Sequence, residues 1–194
     1  GRDGLPSEAW MAYGLSDMVQ RSRMVDERDA PEDVKRVEKA KLGALLGLCE
    51  TAGCRRQALL AYFGERHPGN CGRCDTCESP VDTWDGMVAA QKILSAMVRT
   101  GQRYGAGHVI DVLRGETTEK VARAGHDRLP TFGIGKDIEP RVWQSAIRQL
   151  VASGIVRVDY DEHGALVATE EARAVLKGER PVQFRRDRVF KATG

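Results

Sequence analysis

At 194 residues, with 41% apolar and 30% charged side chains, the chain has the make-up of a globular protein, large enough for one sizeable domain or two small ones. The formal charge of +2 does not announce a nucleic-acid binder, so any basic surface has to come from local clustering. No run approaches the ~18 consecutive apolar residues of a membrane span, and Gly1-Arg-Asp-Gly4 lacks the apolar core of a signal peptide, which predicts a cytoplasmic protein.

The first residue is not Met, and a piece of a longer polypeptide is expected. A first helix is predicted over residues 16–28 with Ser16 as its N-cap. A second is predicted over 31–51, with Pro31-Glu-Asp in its first turn. In the second, Val34, Val37, Leu42, Leu45, Leu46 and Cys49 fall at helical spacing and can form one apolar stripe. The pair reads as a helical hairpin leading into a cysteine cluster.

That cluster is the sharpest chemical signal. Five cysteines is an odd count in a chain without a secretion signal, which argues for metal or catalytic use over a disulfide framework. Cys71, Cys74 and Cys77 recur at intervals of three, and Cys54 precedes them at the head of a short helix predicted over 54–64. Pro68, Gly69 and Gly72 keep the triplet out of a regular helix, so the backbone can curl and aim several sulfurs at one centre. Four thiolates form the closed tetrahedral shell of a structural zinc ion and leave no open position for water. Arg55, Arg56 and Arg73 lie beside the thiols and are expected to offset their charge and lower their pKa values. The same triplet spacing occurs in iron–sulfur proteins, which visible colour would reveal. Cys49 reads as a small core residue.

A linker at Ser79-Pro80-Val-Asp-Thr83 places a boundary near residue 82. Beyond it come predicted helices at 86–100, 107–114 and 117–124, a glycine-rich loop, and an amphipathic helix from Pro140 through Leu150. Ile155–Tyr160 alternates as a strand, Asp161-Glu-His-Gly164 turns, and Ala165–Ala168 returns, with a last short helix after Thr169. Three helices followed by a hairpin is the order of a winged helix. Arg141, Gln144, Ser145 and Arg148 of the third helix are expected to share an outward face suited to phosphates and base edges, with Arg103, Lys120, Arg123, His126 and Lys136 adding charge nearby. His163 at the hairpin tip could stack on an end base pair. No catalytic constellation is visible: there is no Walker loop and no His-Glu-x-x-His.

Several of these pieces together resemble the C-terminal half of bacterial RecQ DNA helicases. Gly1-Arg-Asp-Gly-Leu-Pro6 is similar to the end of helicase motif VI. Cys54-Arg-Arg, Tyr62-Phe-Gly-Glu65 and Cys71-Gly-Arg-Cys-Asp-Thr-Cys77 resemble the family's zinc-binding subdomain. Arg103-Tyr-Gly-Ala-Gly-His-Val-Ile-Asp-Val-Leu-Arg-Gly115, Gly125-His-Asp-Arg-Leu129 and Trp143–Leu150 resemble its winged-helix region.

The resemblance implies a mostly helical chain with little β structure. Residues 1–15 would end a second RecA-like domain, 16–82 would form a helical-hairpin, four-cysteine zinc subdomain, 83–180 a winged helix and 181–194 a basic tail. It implies part of an ATP- and Mg2+-dependent 3′ to 5′ helicase that unwinds duplex and forked DNA in recombination and repair at the bacterial nucleoid. The upstream RecA-like domains of the same chain would be its partners. Arg2 would be the arginine finger of the full-length enzyme, and this piece alone is expected to lack ATPase activity. A zinc-stapled winged-helix transcription regulator is the competing reading.

Overall fold

The computed structural model describes residues 11–79, 81–159 and 164–187. Arg2, the motif VI stretch, Tyr160 and His163 lie outside them.

Helices α1 (Leu15–Asp26) and α2 (Glu32–Glu50) pack as a hairpin. The cap of α1 is Gly14 rather than Ser16: the Gly14 N–H donates to the Asp17 carboxylate at 2.7 Å, closing the first turn from within. The apolar stripe of α2 is only partly covered. Leu46 is buried, whereas Val34, Val37 and Leu45 are between 41% and 49% exposed, because α1 is too short and too polar to cover both flanks of α2. Helix α3 (Arg55–Tyr62) follows, then the ligand loop and the single turn α4 (Asp75–Glu78).

The second unit begins with strand β1 (Thr83–Asp85) and is built on α5 (Met87–Arg99), α6 (Ala106–Arg114), α7 (Glu119–Arg123) and α8 (Pro140–Ala152). Strands β2 (Val156–Asp159) and β3 (Ala165–Ala168) pair antiparallel, Val156 opposite Ala168, and α9 (Glu170–Leu176) leads to β4 (Gln183–Arg185). Ile93, Leu94, Met97, Val109, Leu113, Trp143, Ile147, Leu150 and Leu166 form one core, each fully out of water. Helices α5, α6 and α8, with the five-residue α7 between the last two, are the three main helices ahead of the hairpin, which is the winged-helix order. Pro140 sits at the first turn of α8, where its missing N–H costs nothing.

The segment after residue 180 departs from the tail expected there. Gln183–Arg185 pairs antiparallel with Thr83–Asp85, and Val182 and Phe184 enter the core, Phe184 being 1% exposed. An aromatic side chain on a short strand buries enough apolar surface to fasten a segment whose composition reads as basic and solvated. Gly86 makes room for it, since a β-carbon there would lie 2.3 Å from the Phe184 ring.

Among the described residues, no helix is long and apolar enough to cross a membrane.

Candidate metal centre and nucleic-acid interface

The ligand loop is shaped by its backbone. Gly69, Asn70 and Gly72 adopt φ of +91°, +46° and +64°, the left-handed conformations that reverse the chain between Pro68 and Cys74. Cys54 stands at the N-terminus of α3 and Cys74 at that of α4, with Cys77 one turn further on. The sulfurs of Cys54, Cys71, Cys74 and Cys77 lie within 4.8 Å of one another.

Hydrogen bonds, rather than the neighbouring arginines, tune these thiols. Burial opposes ionisation of Cys74, but the Thr76 hydroxyl, 3.2 Å from its sulfur, and the Arg55 backbone N–H outweigh it and bring the thiol down to about 5. The Gln57 backbone N–H draws Cys54 below its ordinary value. Cys77 is pushed up to about 11 by burial and by the adjacent Cys74. Crowded thiols cannot all give up protons without a cation between them, so the donor set fits a metal that takes four thiolates, and zinc suits it. When bound, it would cross-link α3, the loop and α4.

Arg55 does not face the sulfurs. Its guanidinium grips the Asp75 carboxylate at 2.5 and 2.8 Å and donates to the Leu48 and Cys49 carbonyls at 2.6 and 3.1 Å, tying the end of α2 to α4. Thr76 adds a 2.8 Å bond to the Gly53 carbonyl. Cys49 is half-buried beside this knot, its thiol raised by burial.

On α8 the four expected contact residues separate. Arg141 and Gln144 are exposed, Arg141 with its guanidinium 2.6 Å from Glu139. Ser145 is 5% exposed and accepts a hydrogen bond from Gln149 at 3.1 Å, so it faces the interior. Arg148 is turned towards α2, where it meets Glu50 at 2.8 Å. Helical spacing alone places these residues on neighbouring rows, and the packing of α2 and β4 against α8 decides which rows stay open. Arg103 and Lys136 are exposed.

His126 belongs to a cluster that sequence reading did not join. Its Nδ1 is 2.8 Å from His108 Nε2, the His108 ring stacks on Tyr104 at 3.9 Å, and the Lys120 ammonium sits 5.2 Å over the Tyr104 ring. Burial, then the charges of His126 and Lys120, drive the His108 pKa down to about 4. Tyr104 and His108 are four apart across the start of α6, a spacing that marks them as neighbours, but nothing local points to His126 eighteen residues on. Another residue missed is Glu50, a carboxylate buried at the end of α2 between Tyr13, Arg148 and Arg185.

Comparison with known proteins matches residues 80–193 to the RQC domain family and residues 15–78 to the RecQ zinc-binding family, dividing the chain at the linker between α4 and β1. The chain belongs to the RecQ family. The zinc-binding match falls on the segment that gathers the four thiols, in keeping with zinc rather than an iron–sulfur cluster. Among curated relatives, the chain is 40% identical over its full length to the ATP-dependent DNA helicase RecQ of Pasteurella multocida. It is 41% identical over 97% of its length to that of Haemophilus influenzae, and 33% identical over 92% to that of Bacillus subtilis. It spans 30% of the length of each of these relatives.

Proposed function

We propose that this chain is the DNA-binding and coupling region of an ATP-dependent RecQ-type DNA helicase that unwinds duplex and forked DNA. The observation that carries the reading is the joining of a four-cysteine knot to a winged unit through α2, which ends beside the knot at Arg55 and lies along α8. A bare regulator would need only the winged unit. Here the zinc subdomain supports one flank of the DNA-facing helix and offers its other flank elsewhere.

That other flank is apolar. Val34, Val37 and Leu45 on α2, with Leu59, Tyr62 and Phe63 at the end of α3, are exposed, Phe63 by 68%. Surfaces of this kind on a small subdomain mark contacts with a larger body. The upstream RecA-like domains, which would bind ATP and Mg2+ and to which Arg2 would belong as arginine finger, are the partner we assign to them. Zinc serves as a brace between that motor and the winged helix, at the bacterial nucleoid where recombination and repair take place.

DNA would meet the winged unit through Arg141 and Gln144 at the start of α8, Lys136 before it, Arg103 after α5, and the His126 cluster with Lys120. His163 at the hairpin tip would add a stacking ring at the fork. Phosphate contacts of this kind make affinity fall steeply with salt.

The test is titration of fluorescent forked, duplex and single-stranded DNA with this protein at two salt concentrations. Salt-dependent binding that favours forks or duplexes of any sequence supports the helicase reading. Binding that survives moderate salt and selects one sequence would favour the regulator instead.

A further inference from the structure

Among the described residues, Glu50 is the buried acidic side chain through which the zinc subdomain holds the third helix of the winged unit. Its carboxylate is 2% exposed and is met from three sides. Arg148 Nε of α8 donates to Oε1 at 2.8 Å, Arg185 Nε of β4 donates to Oε2 at 3.1 Å, and the Tyr13 hydroxyl donates to Oε1 at 2.9 Å. Outside it, Asp187 takes Arg148 Nη2 at 2.7 Å and Arg185 Nη2 at 3.3 Å. Two positive and two negative charges therefore balance inside one contact, and both arginine side chains are only 15% exposed. Within the winged unit, Gln149 holds β4 beside α8, accepting from the Arg185 backbone N–H at 2.8 Å and donating to its carbonyl at 3.1 Å.

A buried ion cluster of this kind is a poor source of stability, because removing the charges from water offsets most of their mutual attraction. What it does supply is a defined arrangement: the two units meet with Glu50 between the arginines or the carboxylate is left bare. It also largely removes the Arg148 and Arg185 guanidiniums from solvent. Arg148 sits one helical turn beyond Gln144 and two beyond Arg141, on the row that would otherwise continue the basic edge of the helix. In this arrangement α8 can offer DNA chiefly its first turns, since α2 packs along it and Arg148 and Gln149 of its second half are taken up by Glu50 and Arg185.

We infer that Glu50 is a latch: it holds α8 against the zinc subdomain and withholds Arg148 and Arg185 from DNA phosphates, which they reach when the two units part. The inference rests on the DNA-binding reading above and adds a closed state to it. In the open state the arginines exchange one buried carboxylate for two backbone phosphates, so duplex DNA itself favours opening.

The experiment compares the parent protein with Glu50→Gln, zinc-loaded, by two readouts. Dyes placed through non-natural residues at the exposed positions Arg36 of α2 and Glu170 of α9 report the distance between the units without DNA. One narrow distribution is expected in the parent and a broad, longer one in Glu50→Gln, and an unchanged distribution overturns the latch. The salt dependence of duplex binding is the second. Each further phosphate that the protein neutralises steepens the slope of log affinity against log salt by about 0.9, so Glu50→Gln is expected to be steeper by about 1–2, and Arg148→Ala added to it removes about 0.9 of that increase. A slope that is unchanged or shallower, with the distance broadened, overturns the withholding of the arginines. Tyr13→Phe, which removes only a hydroxyl from the cluster, gives the same shifts in smaller measure should Glu50→Gln fold poorly. Loss of salt-dependent binding in parent and variant alike would strike the DNA-binding reading, while the dye distances still decide whether Glu50 holds the helix.

Discussion

The guanidinium of Arg55 holds the carboxylate of Asp75 in a two-pronged bond at 2.5 and 2.8 Å, across twenty residues that include the cysteine loop. Arg55 follows Cys54 and Asp75 follows Cys74, so the side-chain pair helps set the separation of two sulfurs, while the Arg55 backbone N–H reaches the Cys74 sulfur itself. Groups that orient ligands in this way are commonly worth 10–100-fold in metal affinity. Arg55→Ala is expected to lose zinc to a chromogenic chelator at least about tenfold more readily than the parent, with the cysteines intact. Equal retention would show that the loop is shaped by its own backbone.

Removing a ligand outright is expected to do far more. Helices α3 and α4 are short, and none of the residues of α3 is buried, so the polar ties of Arg55 and Thr76 and the metal knot, rather than a core, hold them in place. Structural zinc contributes folding free energy on the order of 10 kcal/mol in small domains. Cys71→Ser should therefore abolish zinc binding and unfold residues 11–79, seen as lost helical circular dichroism, while the core around Trp143 persists. A zinc-free Cys71→Ser protein with full helicity would remove the brace.

The winged unit carries a steric signature. The Trp143 indole N–H donates to the Gly135 carbonyl at 3.1 Å, and a β-carbon at Gly135 would lie 2.5 Å from that ring. Gly135→Ala is expected to cost about 1–3 kcal/mol by overpacking. Thermal unfolding monitored by Trp fluorescence would show it as a lowered midpoint.

Acid should weaken the same unit. His108 is brought down to about 4 in the fold, so between the ordinary histidine value near 6.5 and pH 4 the unfolded chain binds a proton that the folded chain does not. Stability is therefore lost as pH falls through that window. Its buried Nδ1 has no hydrogen-bond partner among the described residues, and the charges of His126 and Lys120 oppose its protonation. Urea unfolding at pH 7, 5.5 and 4.5 should give a falling midpoint, with a smaller fall in His108→Gln.

Arg141 is the exposed arginine at the start of α8. Arg141→Ala should weaken duplex binding and make its salt slope shallower by about 0.9, with no change in unfolding midpoint. A slope unchanged within error would move the DNA contact away from α8.

Much of this molecule is local information. The spacing of Cys71, Cys74 and Cys77 with glycines between them specifies a curled loop, because no regular helix brings three sulfurs at intervals of three to one point. The period of α5 and α8, and the alternation of β2 followed by a turn and an apolar return strand, specify the winged order, because the two helices and β2 each bury one face. Three outcomes lay beyond it. Phe184 enters the core because β1, a hundred residues earlier, offers an edge and Gly86 offers space. Val34, Val37 and Leu45 stay exposed because helical period shows an apolar face without showing what covers it. Arg148 leaves the basic row of α8 because Glu50, 98 residues away, lies where it points. Composition and period are properties of a segment, whereas the pairing of a buried charge is decided by whichever distant element carries the opposite one.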